Sequence, residues 1–122
     1  MPVIDVQWVG APAAGAPPGL ARRIADAAGS VLGLPAGRVW VRLALLPPGH
    51  YAENGVADAD LPRPLFVTVM HADLPPTDLL AAQARALADA VAMAVACDPA
   101  LVHLEYAPPG RGRVAFGGRL LT

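Results

Sequence analysis

The chain has 122 residues, of which 55% are hydrophobic and 16% are charged, and its formal net charge is −1. This length allows one ordinary domain, and the apolar content excludes a disordered chain. All nine basic residues are arginines scattered along the chain, which argues against nucleic acid as a partner.

The single cysteine and the apolar segments indicate the cellular compartment of the protein. Cys97 alone cannot form an intrachain disulfide framework, and it fits a reducing cytoplasm. The N-terminal segment has no basic region ahead of an apolar run, so no signal peptide is evident. No apolar segment reaches about 18 residues without a proline or a charge. We therefore expect a cytoplasmic protein with no membrane partner, and its apolar excess indicates burial between subunits.

The first half of the chain carries the pattern strand, helix, strand. Residues 3–9 alternate between an apolar and a mixed face, which predicts a strand covered on one side. Apolar residues recur at helical spacing from 20 to 31, and Gly33 and Pro35 end this predicted helix. Residues 39–46 predict a second strand.

The second half repeats the pattern. Residues 64–70 predict a third strand. Thr77 is a plausible N-cap for a second helix, whose apolar face runs from residue 80 to 95. Residues 101–106 predict a fourth strand.

Landmarks in the two halves lie about 60 residues apart, which indicates an internal duplication. Pro2 and Pro64 are separated by 62 residues, and Gly55 and Gly118 by 63. The expected organisation is a single domain, 1–122, with a first unit at 1–55, a linker at 56–63 and a second unit at 64–122.

The element order predicts an α+β fold. Each strand–helix–strand unit favours parallel pairing through a right-handed crossover. Two such units side by side give a four-stranded mixed sheet with both helices on one face and short hairpins at the unit ends. The same order also fits the ferredoxin-like split βαβ fold, and periodicity does not separate the two.

The ends of the units carry a family resemblance. The chain begins Met1-Pro2-Val3-Ile4, and both 48–55 and 112–118 are glycine-rich segments with an aromatic or apolar centre. These segments resemble the N-terminal proline and the glycine-aromatic-Gly-Gly hairpin of 4-oxalocrotonate tautomerase (4-OT). The doubled length is similar to the cis-3-chloroacrylic acid dehalogenase and malonate semialdehyde decarboxylase groups of the same superfamily. The resemblance implies a fused, tautomerase/MIF-like fold that forms a homotrimer.

The resemblance implies that Pro2 is the catalytic base. Aminopeptidases remove Met readily before a small residue such as proline, so we expect the mature chain to begin at Pro2. A free α-amino group titrates near 8 in water, and burial or a nearby cation lowers that pKa. Such a base moves a proton within a small enol or keto acid without a metal or an organic cofactor.

Strand alternation adds four candidates on one face of the sheet. Arg42 could hold a substrate carboxylate, because guanidinium binds carboxylates bidentately, or form an interface ion pair. Glu105 and His103 could each act as a second acid or orient water. Trp40 and His103 are expected to bind substrate, and His103 could equally be an interface histidine.

Two further candidates lie in the first unit's hairpin. Tyr51 matches the aromatic that packs over the proline in 4-OT, and its phenol could donate a proton or simply pack in the hairpin. Asn54 is assigned to substrate binding.

Several positions depart from the family pattern. Pro12 and Trp40 stand where 4-OT has arginines, and no arginine pair follows the third strand. A dicarboxylate substrate and hydrolytic dehalogenation are therefore disfavoured, and Trp40 and Tyr51 indicate an apolar or aromatic substituent. A tautomerase or isomerase is the leading function. The alternatives are hydration or decarboxylation of a small acid by the same base, and a non-catalytic binding module.

Overall fold

The computed structural model describes all residues from 1 to 122. Two helices and four longer strands lie where the sequence predicts them, and a two-residue strand pair follows. The elements are β1 (Val3–Val9), α1 (Leu20–Leu32), β2 (Trp40–Leu46), β3 (Leu65–Met70), α2 (Thr77–Val95), β4 (Val102–Tyr106), β5 (Ala115–Phe116) and β6 (Arg119–Leu120).

The four longer strands form one mixed sheet in the order β2-β1-β3-β4. β1 pairs parallel with β2 and β3 pairs parallel with β4, while the two central strands β1 and β3 are antiparallel. Strands β5 and β6 form a separate short hairpin. The predicted α+β architecture is therefore confirmed.

Both helices pack on one face of this sheet and enclose the core. The buried residues come from alternate positions of the strands and from one stripe of each helix. The largest of them are Ile4, Val6, Leu20, Ile24, Leu65, Val67, Val69, Leu87 and Val91. The opposite face of the sheet carries no helix and remains accessible in the single chain.

The helices differ from the prediction in two details, the N-cap of α2 and the buried face of α1. Helix α2 begins at Thr77 with Pro76 as its cap, and no side chain caps it, so the N-cap prediction for Thr77 is wrong. In α1 the buried stripe passes through Ala28, whereas Val31 is 36% exposed. Val31 lies in the last turn of this helix, which ends at Leu32.

Burial matches between positions of the two halves that lie 63 residues apart, so the spacing of 62 between Pro2 and Pro64 does not join equivalent positions. Strand faces alternate with period two, so an even offset would exchange the covered and open faces. Positions 63 apart share burial: Ile4 with Val67, Val6 with Val69, Ile24 with Leu87, and Ala28 with Val91. Pro2 is thus equivalent to Leu65, and the predicted unit boundaries at 55 and 64 stay predictions.

Candidate functional site

A cavity of about 330 Å³ lies at the end of the sheet where β1 and β2 begin. Apolar side chains dominate its lining, and Arg38 is the one charged side chain in it. The lining residues are Met1, Val3, Gly37, Arg38, Trp40, Ala72, Phe116 and Leu121. Residues on both sides of Pro2 therefore line the cavity, and the β5–β6 hairpin covers it with Phe116.

Pro2 is fixed at the start of β1 with its ring fully buried. Its carbonyl accepts a hydrogen bond from the Trp40 backbone N–H at 3.1 Å. In a parallel ladder, a residue bonded in this way has its own nitrogen opposite the residue two positions earlier on the partner strand. The Pro2 nitrogen therefore faces the backbone carbonyl of Arg38, and in the 122-residue chain Met1 acylates it.

Two aromatic side chains form one side of the cavity. The Trp40 indole N–H donates to the Gly37 carbonyl at 3.0 Å, which fixes the orientation of the ring. Phe116 meets this indole edge to face, with ring centroids 5.1 Å apart and an interplanar angle of 76°. Trp40 is still 53% exposed, so its face can contact a further apolar group.

Arg38 is the charge nearest to Pro2 in this cavity. The structure contains three salt bridges, in which the arginines are Arg22, Arg42 and Arg111. Arg38 is exposed and takes part in none of them, so its guanidinium is free to bind an anion.

Arg42 lies further along the open face and already has a carboxylate partner. Its Nε and Nη2 donate to the two carboxylate oxygens of Asp5 at 2.5 and 2.8 Å. This hydrogen bonding raises the pKa of the Arg42 guanidinium. Asp5 is three residues beyond Pro2, or about 10 Å along the strand. Within one chain, Arg42 is thus directed at Asp5 and not at the cavity.

Glu105 on β4 is the residue of the second half that corresponds to Arg42 on β2, and it lies on the same open face of the sheet. Asp5 and Thr68 lie directly opposite each other in the central strand pair. The Thr68 hydroxyl donates to Glu105 Oε1 at 2.9 Å. Arg42, Asp5, Thr68 and Glu105 therefore cross the middle of the open face as one polar row.

The remaining predicted site residues lie at the far end of the sheet. Tyr51 and His103 both pack on Phe66, each with ring centroids 5.7 Å apart. The Tyr51 hydroxyl donates to the Glu53 carboxylate at 2.5 Å, which raises the pKa of the phenol. Asn54 is exposed in the adjoining turn. The length of the seven-residue β1 separates this end from Pro2 by about 20 Å.

A salt bridge secures the hairpin over the cavity. Arg111 donates to both oxygens of Asp73 at 2.6 to 3.1 Å, and to the Thr122 carbonyl at 2.8 Å. Hydrogen bonding from Arg111 lowers the pKa of the Asp73 carboxyl. The backbone N–H of Arg111 also donates to the Ala72 carbonyl. These bonds join the hairpin to the end of β3 and so hold Phe116 in place.

Sequence reasoning missed several of these residues. Of the predicted site residues, Trp40 lines this cavity, and Pro2 lies between two of its lining residues without lining it. Arg42 and Glu105 together line a different depression, on the open face. Arg38 was overlooked because it precedes the predicted strand, although parallel pairing with β1 puts it beside Pro2. Asp5 was visible as the polar position of β1, but its partner depends on strand register. No three His, Cys, Asp or Glu side chains are grouped to hold a metal ion.

Comparison with solved structures identifies the fold. A symmetric trimer of wild-type fused 4-OT (Q0) matches with a TM-score of 0.75 and 19% identity, over 98% of this chain and 94% of that chain. A protein named Pt0534, inactivated by 2-oxo-3-pentynoate, matches with a TM-score of 0.74, 19% identity and the same coverage. Macrophage migration inhibitory factor from Oncomelania hupensis matches with a TM-score of 0.70 and 24% identity, over 100% of this chain and 83% of that chain.

At the level of sequence, no protein-family model and no curated protein matches the chain. Identities below 25% establish the fold alone, and that fold is the fused tautomerase-like fold that the resemblance implied. Neither of the two helices has an apolar stretch of the length that a bilayer crossing requires.

Proposed function

We propose that this fused tautomerase-like chain is an isomerase that works without a cofactor, with Pro2 as its general base. Once Met1 is removed, the secondary amine takes a proton from a small enol or keto acid and returns it to another atom of the same molecule. The observation that carries the proposal is the cavity beside Pro2, which combines an apolar lining with the free cation of Arg38.

The surroundings of Pro2 favour a free amine near neutral pH. An α-amino group ordinarily titrates near 8. The buried ring and the unpaired positive charge of Arg38 in the adjoining cavity both disfavour the protonated amine, so both lower its pKa. Each unit of this shift requires about 1.4 kcal/mol of differential interaction. A base that is unprotonated near neutrality is the form that general base catalysis needs.

The lining residues indicate what the substrate carries. Arg38 would hold one carboxylate bidentately. Trp40 and Phe116 would pack against an apolar or aromatic substituent. Arg38 takes the anchoring role for which the sequence alone favoured Arg42, because Arg42 would first have to release Asp5.

Association of several copies of the chain would determine what the predicted site residues outside the Pro2 cavity do. We propose a homotrimer, supported by the trimeric state of fused 4-OT neighbours. Neighbouring copies would cover the open face of the sheet and its polar row, which includes Arg42 and Glu105. Because Tyr51, Asn54 and His103 lie at the far end of the sheet, they could reach the Pro2 cavity only from another copy.

The substrate class that we propose is the small 2-oxo acids. The inactivation of the neighbour Pt0534 by 2-oxo-3-pentynoate is a property of that protein. It supports the proposal because a carboxylate beside a carbonyl is what a nearby arginine and a proline base would engage.

The test is kinetic and uses the Met-processed chain. We expect it to ketonise phenylenolpyruvate faster than 2-hydroxymuconate, since the cavity offers one cation and two aromatic rings. Retaining Met1 acylates the Pro2 nitrogen and should reduce kcat/KM by about 100- to 10,000-fold. The Pro64→Ala variant is the matched control, because residue 64 has no free amine. Full activity in the Met1-retaining chain would remove Pro2 as the base, and no activity in either chain would leave a binding module.

A further inference from the structure

Gly110 is a buried glycine in the turn that leads into the β5–β6 hairpin. Its N–H donates to the His71 carbonyl at 2.7 Å, and its carbonyl accepts from the N–H groups of Arg113 and Val114 at 2.8 and 2.9 Å. His71 is the first residue after β3, and the register of the central strand pair puts its backbone opposite Pro2. These bonds fix the Gly110 backbone at the Pro2 end of the sheet.

The backbone at position 110 does not require glycine. Ten of the twelve glycines have a positive φ, which residues with a side chain rarely adopt, and Gly110 is not among them. At the offset of 63 residues its equivalent is Pro47, and the same turn bond recurs there, from the His50 N–H to the Pro47 carbonyl at 3.1 Å. Since the equivalent turn accepts a proline ring, the reason for glycine at position 110 lies in its surroundings.

The side chain of Met1 fills the space beside Gly110. A Cβ placed on Gly110 would lie 2.8 Å from Met1 Cε, 3.0 Å from Val114 Cγ1 and 3.4 Å from the His71 carbonyl oxygen. Carbon atoms in favourable contact are about 3.5–4.0 Å apart, so even an alanine at position 110 would crowd the Met1 methyl group. Met1 is half-buried and is one of the residues that line the cavity of about 330 Å³.

Removal of Met1 opens this space directly beside the Pro2 nitrogen. In the 122-residue chain the carbonyl carbon of Met1 is bonded to that nitrogen. A substrate atom that gives its proton to the free amine must come within about 2.6–3.2 Å of the same nitrogen. The substrate therefore takes the place of the Met1 residue, and the unbranched Met1 side chain marks a direction in which a substituent can extend.

We infer that the space vacated by the Met1 side chain is the subsite for the apolar substituent of the substrate, and that Gly110 determines which substituents fit it. The inference rests on the proposed function, because that function puts the reacting atom at Pro2. It adds the shape of the substituent. The backbone of Gly110 and the side chain of Val114 leave room for a narrow group, such as an unbranched chain or the edge of a phenyl ring, next to the reacting carbon.

The first test narrows the subsite with Gly110→Ala in the Met-processed chain. The ligands are phenylpyruvate and pyruvate, which share the 2-oxo acid group and differ by the phenyl ring. We expect Gly110→Ala to raise the Kd of phenylpyruvate by about 10- to 100-fold and that of pyruvate by less than about twofold, because the added methyl group occupies the subsite. The Trp40 indole N–H signal, followed by NMR, reports both values from within the cavity.

The matched control is Gly29→Ala in helix α1. It adds the same methyl group where the nearest atom is 3.8 Å away, and it should bind both ligands as the wild type does. In the double variant Gly110→Ala/Val114→Ala the opposite wall recedes, so phenylpyruvate affinity should return to within about threefold of wild type. Unchanged phenylpyruvate binding in Gly110→Ala, an equal loss for both ligands, or no recovery in the double variant would overturn the inference.

The second test leaves Gly110 in place and changes residue 1. A Met1→Gly chain, released from an N-terminal fusion by a protease, has an acylated Pro2 nitrogen like the Met1-retaining chain but no side chain in the subsite. We expect it to bind phenylpyruvate at least about 10-fold more tightly than the Met1-retaining chain. Equal affinities in these two chains would show that the Met1 side chain does not fill the subsite and would overturn the inference.

The two proposals fail separately, because these tests measure binding and not turnover. Phenylpyruvate binding that depends on residues 1 and 110, in a processed chain without isomerase activity, would reject the proposed function alone. Isomerase activity with phenylpyruvate binding that is insensitive to both residues would reject this inference alone.

Discussion

The two ends of the sheet are built on the same backbone plan but carry different chemistry. At the Pro2 end, residues 2, 38 and 71 are a proline, an arginine and a histidine. The positions equivalent to them at the other end are Leu65, Leu101 and Trp8. The fold is thus present twice, whereas this set of three residues is present once.

The comparison also separates what stabilises the molecule from what could act on a substrate. Equivalent core positions remain apolar in both halves, as Ile24 and Leu87 show. Equivalent open-face positions differ, because Arg42 pairs with Asp5 whereas Glu105 accepts from Thr68. Packing therefore constrains the two halves alike, and the surface positions are free to differ.

The largest expected effect concerns the apolar core, to which the two halves contribute equivalent residues. Ile24→Ala and Leu87→Ala should each lower the free energy of unfolding by about 2–5 kcal/mol, because each leaves a cavity at an equivalent buried position. Urea unfolding at equal chain concentration measures this loss. Met93→Ala, at a position 84% exposed, is the control. A loss in only one of the two core variants would break the equivalence.

A smaller effect is expected from making the Pro2 end resemble the other end. Arg38→Leu introduces the residue found at position 101 and should lower kcat/KM by about 10- to 100-fold, mainly through a higher KM, because a charge-assisted contact is lost. Steady-state kinetics with phenylenolpyruvate measures this. Arg85→Leu removes the same charge from the exposed surface of α2 and should change nothing. Equal kinetics in the two variants would reject Arg38 as the anchor.

The aromatic residues of the cavity should contribute less. Phe116→Leu removes the edge-to-face contact with Trp40 and is expected to raise KM by about 2- to 12-fold. Leu120→Ala, in the same hairpin but outside the cavity lining, is the matched control. A similar rise in KM in both variants would mean that the hairpin as a whole, and not the ring, affects binding.

The smallest effect concerns the salt bridge between Asp73 and Arg111, which has no counterpart because Gly10 occupies the position equivalent to Asp73. Arg111 lowers the Asp73 pKa in the folded chain, so the bridge stabilises the fold above the unfolded pKa near 4. This contribution is lost as pH falls through the folded value. Thermal unfolding of wild type and Asp73→Asn should show a small difference at pH 7 that vanishes near pH 2. A difference that persists at pH 2 would contradict this linkage.

Much of the fold could be predicted because periodicity reports which face of an element is covered. Strand alternation correctly placed Trp40 and Arg42 on the open face with His103 and Glu105. The resemblance at the unit ends then chose the fused tautomerase-like fold over the ferredoxin-like alternative, which periodicity could not do.

The site could be predicted less well because it depends on register between strands distant in sequence. The spacing from Pro2 to Pro64 suggested an even offset, which the alternation of strand faces forbids. The same uncertainty concealed the neighbours of Pro2, namely Arg38 on β2's side and His71 on β3's side. Only the strand pairing shows that, within one chain, Tyr51 and Pro2 lie at opposite ends of the sheet.

A titration of the Pro2 nitrogen itself would decide whether the chemistry of one end differs from that of the other. Nitrogen-15 NMR of the Met-processed chain, labelled at proline, follows protonation of the amine directly. We expect a midpoint clearly below the value near 8 that is ordinary for an α-amino group, since burial and Arg38 disfavour the cation. A midpoint at or above 8, or a nitrogen that does not titrate, would contradict a base at this end of the sheet.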